Sequence, residues 1–404
     1  MLVTQPRWGN QLSDLRYSKP TRVARRMQIC VFERQMENTH DTKTVFRNNT
    51  PQRLLDDTDF DGMIAALERF NEKYITLINT EDKSTLYRSF KIPKRSGGLR
   101  QINAPLDDLM NALRELKYLF EKRLYASYHT AAFAYVKGRS TIDAVKRHQR
   151  NKSRWFLKLD FHDFFGSSKP EFIIAQLETI FPFNEIVARP NGREALVKAL
   201  SICYLNNGLP QGTPISPTLT NLFMIPIDHY IAKTAREMTP HLVYTRYADD
   251  IILSSDLAFN WREVQDTIVD IVANKFHAPF SLNTAKTRYG SSAGRNWNLG
   301  VMLNSDNQIT IGHSKKKVFK AMLFSFMNDE KNGNVWSLED TQHLQGLISY
   351  YRMVEGVTID TIIKSYSTKF NKDVEQTIGG FRRKAAVNKS IYYHNLNSIS
   401  QESV

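Results

Sequence analysis

Two aspartates, Asp249 and Asp250, stand side by side between two β-prone runs, Leu-Val-Tyr-Thr-Arg-Tyr (242–247) and Ile-Ile-Leu-Ser-Ser (251–255). That pattern predicts two strands joined by a tight turn, with both acids at the tip. Adjacent carboxylates raise each other's pKa and strain a fold unless a cation neutralises them. Mg²⁺ does so with oxygen ligands, keeping waters and substrate phosphates in the rest of its shell. An Asp-Asp pair can equally be a plain turn. A second strand changes the balance. Trp-Phe-Leu-Lys-Leu-Asp (155–160) is β-prone and ends on Asp160. Laid beside the hairpin, it brings Asp160 and Asp249 to one edge. Carboxylates there suit two metals about 3.5–4 Å apart, the arrangement for in-line phosphoryl transfer. One metal lowers the pKa of an attacking 3′-hydroxyl, the other stabilises the leaving pyrophosphate, and the peptide oxygen of Phe161 is a further ligand.

Charge points the same way. The chain has 404 residues, and 55 Lys and Arg against 41 Asp and Glu leave a net charge of +14. Such an excess suits a polyanion, nucleic acid before membrane, although a merely basic surface satisfies it too. Two cysteines, Cys30 and Cys203, cannot build a disulfide framework or a Cys-rich zinc site. No stretch approaches the roughly 20 apolar residues of a membrane span, and the first residues lack an apolar signal core. The expectation is a cytoplasmic protein with no membrane partner.

The length allows two or three cores. Residues 1–58 are polar, with Arg22, Arg25 and Arg26 clustered, and read as an N-terminal extension. An amphipathic helix starts near Asp59, with Met63, Ile64, Leu67 and Phe70 on one face and Asp61 as its cap. Another helix spans about 107–120. Further helices are expected near 169–180, 192–205, 217–237 and 261–277, and a short strand at 279–283. After about residue 313 the pattern is helical, at 314–328, 338–352, 359–369 and 373–386. Strands and helices mix without a βαβ rhythm, so the class is α+β. Basic residues gather at Lys315, Lys316, Lys317 and Lys320 and at Arg382, Arg383 and Lys384, as a nucleic-acid face or a solvated one.

Two other segments complement the acids. Residues 90–102 read as a basic hairpin around Gly97-Gly98, from which Lys94 and Arg100 could reach a triphosphate. Residues 207–217, Asn-Gly-Leu-Pro-Gln-Gly-Thr-Pro-Ile-Ser-Pro, form a rigid loop before a helix. It leaves room for a flat base pair, and Gln211 can hydrogen-bond template or nucleotide. Each alone reads as a basic surface hairpin and an ordinary connector.

In order along the chain these segments resemble the reverse transcriptases, in the bacterial branch that includes group II intron and retron enzymes. The resemblance rests on IPKRSGGLRQINAP (92–105), AAFAYVKGRSTIDAV (131–145), LKLDFHDFFGSS (157–168), GLPQGTPISPTLTNLFM (208–224), YADD (247–250), SLNTAKTRYG (281–290), NLGVML (298–303) and HLQGLISYYRMVEG (343–356). It implies a right hand: fingers at 59–154, palm with an antiparallel sheet at 155–312 (fingers-side helices about 169–205), and a helical thumb and C-terminal region at 313–404. Asp160, Asp249 and Asp250 become the catalytic metal triad for two Mg²⁺, with Mn²⁺ as substitute. Lys94 and Arg100 match triphosphate-binding positions, as do the backbone N–H groups of Asp163 and Phe164. Gln211 and Gly212 match the nucleotide site. Phe165 matches the aromatic gate that rejects a 2′-hydroxyl; of Phe164 and Phe165, one is expected to be core. Lys286 matches a lysine that protonates departing pyrophosphate, and reads otherwise as a surface lysine. Arg139, Tyr247 and Lys315–Lys317 fall on nucleic-acid-binding segments.

The retron Asn-Ala-x-x-His and Val-Thr-Gly elements are not found, and only about 90 residues follow the palm. The resemblance is therefore to stand-alone enzymes of phage defence, including abortive-infection relatives. The function implied is synthesis of cDNA from dNTPs on a dedicated noncoding RNA. Two alternatives stand beside it: untemplated or protein-primed deoxynucleotide addition, and a non-catalytic RNA-binding splicing or assembly cofactor. Homo-oligomerisation is left open.

Overall fold

The computed structural model describes Asp56 and residues 58–93, 97–124, 127–292 and 297–380. The extension before residue 56, Cys30, Lys94 and the Arg382–Lys384 cluster lie outside the described residues. The fold is α+β, as expected, and every strand pairing is antiparallel.

The chain divides into two compact units, each drawn from separated stretches. The first contains the described residues of Met1–Ala132, His162–Ile231 and Val269–Ser281. The helix Phe60–Lys73 is capped by Asp59, whose carboxylate accepts from Gly62 N at 2.8 Å. Asp61 therefore does not cap; it sits in the first turn, where a negative charge favours the helix dipole. The expected apolar stripe is buried, with Leu67 and Phe70 at its centre. A hairpin follows, β1 (Tyr87–Pro93) and β2 (Leu99–Pro105), and then the helix Asp107–Tyr118. Shorter helices at Pro170–Leu177 and Gly192–Leu200 lie near their expected places, as does the long helix Ser216–Met238, which belongs to this unit as far as Ile231.

The second unit holds Phe133–Phe161, Ala232–Ile268 and the described residues from Leu282 onward. At its heart is a four-stranded antiparallel sheet. It is made of β3 (Trp155–Asp160), β4 (Val243–Tyr247), β5 (Asp250–Ser255) and β6 (Arg288–Ser291), in the order β4-β5-β3-β6. The strand expected at 279–283 is absent. Leu282 makes one isolated bridge to Phe161, and Asn283 N turns away to donate to Asp160 O at 2.7 Å. A smaller sheet joins β7 (Trp297–Asn298), β8 (Val301–Leu303) and β9 (Ile309–Thr310).

The helix Thr141–Arg150 packs against the sheet. Its start is set by a capping box in which Ser140 and Asp143 satisfy each other's backbone N–H. Two long helices follow, His313–Lys331 and Leu338–Phe370. Phe319, Leu323 and Phe326 of the first meet Leu344, Ile348 and Ile363 of the second in one buried cluster. The gap expected between 352 and 359 appears as a break at Glu355, with φ −138° and ψ 57°. The Glu355 carboxylate accepts from Thr310 Oγ1 (2.9 Å), Ile311 N (2.8 Å) and Lys316 Nζ (2.6 Å).

Candidate active site

Strand register assembles the acidic edge. β3 and β5 are antiparallel with Asp160 directly opposite Asp250. β4 and β5 pair Tyr247 with Asp250, leaving Ala248 and Asp249 as a two-residue turn. Ala248 takes the left-handed φ of 58° that such hairpin turns require. Two hydrogen bonds hold the tip: Arg246 Nη1 donates to Ala248 O at 3.1 Å, and Phe161 N donates to Asp249 O at 3.1 Å.

The charges at this edge are under stress. Asp250 is exposed at the start of its strand, yet its carboxyl is pushed from 3.8 up to about 6. Desolvation is the largest cause, then the like charges of Asp249 and Asp160; Lys286 and Lys158 pull the other way. Lys286 Nζ donates to Asp160 Oδ1 at 2.8 Å, and that bond raises the lysine's pKa. Lys158 lies two residues before Asp160, so both project from one face of β3. Burial lowers its ammonium to about 8, against the pull of Asp250.

This donor set suits a hard divalent cation: oxygen ligands on facing strands, with a lysine now neutralising one of them. Among the described residues, no group of three or more His, Cys, Asp or Glu side chains is drawn close enough to hold a metal ion as it stands. Lys286 occupies one oxygen of Asp160, Oδ1.

Beneath the hairpin lies a buried polar layer that the sequence reading missed. His148 is fully buried, its Nδ1 2.5 Å from Ser254 Oγ and its Nε2 2.7 Å from Thr245 Oγ1. Ser254 Oγ donates on to Ser153 Oγ at 2.7 Å. Arg246 is likewise fully buried. The signal was present: alternation along β4 and β5 puts Thr245 and Ser254 inward, and a polar residue in an apolar run needs a partner. Burial lowers His148 from 6.5 to about 3. The unfolded chain therefore takes up this proton first, and stability is lost as pH falls from about 6.5 toward 3. A His148→Asn variant should be less stable at pH 7, by ~1–3 kcal/mol for a broken buried pair. It should also lose less on acidification, as denaturant titrations at pH 7 and 5 would measure. An acid slope equal to the parent's would remove His148 as its source.

The other expected residues fall as follows. Arg139, in the second unit, is partly buried with its guanidinium 5.9 Å from the Phe133 ring centre, and burial lowers its pKa. Tyr247 is half-buried on β4. Lys315 Nζ donates to Gly300 O at 2.5 Å, Lys316 is held by Glu355, and Lys317 is exposed.

The first unit carries the rest. Arg100 is exposed on β2, opposite Ile92. Asp163 takes a left-handed conformation (φ 42°, ψ 47°) and starts the short helix Phe164–Ser167. Phe164 is the core residue of the aromatic pair, 2% exposed with ring centres 5.7 Å from Phe223 and 5.1 Å from Phe280. Phe165 is only half-buried. Gln211 is half-buried in the loop before Ser216–Met238, and Gly212 beside it is exposed with φ 115°. Ser216 Oγ clamps this loop by donating to Pro210 O at 3.0 Å.

Residues 92–318 match the family described as reverse transcriptase (RNA-dependent DNA polymerase). The chain is 29% identical to the Retron Ec83 reverse transcriptase of Escherichia coli over 305 residues, 72% of this chain and 91% of that protein. It is 25% identical to the Retron Ec73 reverse transcriptase of the same organism, over 72% of this chain and 88% of that one. Among solved structures, an apo telomerase from Candida tropicalis truncated from its C-terminal domain aligns at 13% identity with a TM-score of 0.36. That alignment covers 58% of this chain and 55% of the telomerase. Among the described residues, no helix is long and apolar enough to cross a membrane.

Proposed function

Because the chain belongs to the reverse transcriptase (RNA-dependent DNA polymerase) family, we propose that it copies a dedicated noncoding RNA into cDNA, in the manner of a retron, as part of antiphage defence. The observation that carries the reading is the cross-strand pairing of Asp160 with Asp250 beside the Asp249 turn, in a chain that aligns with 91% of a retron reverse transcriptase. The basic balance of the chain suits an RNA partner.

In this reading Asp160, Asp249 and Asp250 are the ligands, with the peptide oxygen of Phe161 beside them. Two bound Mg²⁺ ions, or Mn²⁺ in their place, would activate the primer 3′-hydroxyl and neutralise the leaving pyrophosphate. Everything else is done by the chain. Lys286, released from Asp160, is an ammonium that can give a proton to departing pyrophosphate. Arg100 and Lys94 bind the triphosphate, together with the backbone N–H groups of Asp163 and Phe164. Phe165 excludes the 2′-hydroxyl, and Gln211 and Gly212 shape the nucleotide site. Arg139, Tyr247, Lys315, Lys316 and Lys317 meet nucleic acid, Lys315 and Lys316 from positions where they also donate to Gly300 and Glu355. The fingers, palm and thumb boundaries at 59–154, 155–312 and 313–404, and a cytoplasmic location, belong to the same reading.

The test is to purify the chain from its native cells and sequence the nucleic acid that comes with it. The expected result is one defined RNA together with DNA complementary to part of it. A homopolymeric or random DNA tract would replace this proposal with untemplated or protein-primed synthesis.

A further inference from the structure

We infer that Gly208 and Gly212 are positioning residues: the loop they bracket ties the turn bearing Phe165 to the strand bearing Arg100, so that its Gly208 end sets the choice between deoxy- and ribonucleotides and its Gly212 end sets nucleotide affinity. The inference rests on the sugar-gate and triphosphate roles just proposed for Phe165 and Arg100.

All the parts lie in the first unit. At one end of the loop, Leu209 N donates to Phe165 O at 3.0 Å. At the other, Asn103 N of β2 donates to Gln211 O at 2.8 Å. Each bond is flanked by a glycine with no room to spare. A Cβ on Gly208 would stand 2.1 Å from the carbonyl oxygen of Gly166 and 2.8 Å from its carbon. A Cβ on Gly212 would stand 3.0 Å from Asn103 O and 3.0 Å from the Ile102 side chain, on a φ of 115°. In both places the obstacle includes backbone, which cannot rotate aside as a side-chain tip can. Gly166 is tight as well, but the nearest obstacle to its Cβ is the Asp163 carboxylate, at 2.5 and 2.9 Å.

The geometry makes the loop a strap with a seam at each end. Pro210 and the Ser216 clamp stiffen its middle. A methyl group at Gly208 must push the Phe164–Ser167 turn outward, and Phe165 moves with it. A methyl group at Gly212 must push β2, and with it Arg100. The two seams thus predict different kinetic signatures. Gly208→Ala should lower the preference for dNTP over rNTP by ~10-fold or more, the scale of a one-methylene misfit in a selective site. Gly212→Ala should raise the KM for dNTP by a similar ~10-fold factor and leave the preference near the parent's.

The experiment is steady-state primer extension with matched dNTP and rNTP by the parent, Phe165→Ala, Gly208→Ala, Gly212→Ala and the Phe165→Ala/Gly208→Ala double variant. Thermal melting of each establishes that it is folded. Phe165→Ala lowering the preference upholds the gate; if it does not, the gate reading itself falls. With the gate upheld, the inference requires Gly208→Ala to lower the preference and the double variant to lose nothing beyond Phe165→Ala, because both act on one ring. A folded Gly208→Ala protein with the parent's preference overturns it, and so does full additivity. If Gly208→Ala does not fold, Ser216→Ala removes the clamp on Pro210 O without adding bulk. A lowered preference then supports the strap, and the parent's preference in that folded variant overturns it.

Discussion

Replacing Asp249 and Asp250 together with alanine is expected to abolish deoxynucleotide incorporation, by at least ~10³-fold, while the protein stays folded. The size follows from removing the groups that meet developing charge in a polymerase site, where even one lost donor costs ~10²–10³. The folding half of the prediction comes from the strain at the acidic edge. Asp250 is pushed up to about 6, by desolvation first and then by Asp249 and Asp160. A carboxyl raised in this way favours the fold when protonated, so its ionisation weakens the fold as pH rises from about 4 to 6. At pH 7.5 with a chelator, the double variant should therefore melt no lower than the parent. Incorporation within tenfold of the parent, in a folded variant, would take the catalytic role from these residues. A lower melting temperature in chelator would show instead that the pair supports the hairpin.

Phe165→Ala should admit ribonucleotides. The ring is half-buried, next in sequence to a neighbour that is only 2% exposed, so truncation opens space rather than emptying the core. A clash of this kind discriminates by roughly 1–3 kcal/mol, or ~10–200-fold in relative kcat/KM for rNTP over dNTP. Phe164→Ala makes the contrast. Its ring packs among Phe223, Phe280 and Phe165, so its loss should cost ~3–5 kcal/mol of stability, read as a lower denaturant midpoint. Equal use of both sugars by the parent enzyme, or unchanged selectivity in Phe165→Ala, would rule the gate out.

Much of this was legible because the strongest signals are local. The β-prone runs ending on Asp160 and flanking Asp249-Asp250 became β3, β4 and β5, and alternation alone set which side chains share a face. The hairpin of β1 and β2 and most helices followed from turn residues and period. What failed was decided by tertiary partners. Asp59 rather than Asp61 caps the helix Phe60–Lys73 because its backbone, with ψ of 82°, stands outside the helix and leaves its carboxylate facing Gly62 N. The segment 279–283 reads as β but spends its hydrogen bonds anchoring the residues around Asp160. His148, Arg246 and Lys158 were passed over because none sits in a motif, although the inward polar residues Thr245 and Ser254 called for a partner. The retron and group II branch was readable from ordered motifs, and the relatives point to its retron side, which two missing short elements had seemed to disfavour.

Glu355 concentrates in one residue the change of direction that a curved helix spreads over many. Meanwhile three donors, from β9, from Ile311 and from Lys316, fasten the pivot itself. Such a joint fixes where the rod turns, and the buried cluster that Ile363 beyond it shares with Ile348 before it and with Phe319 holds the angle.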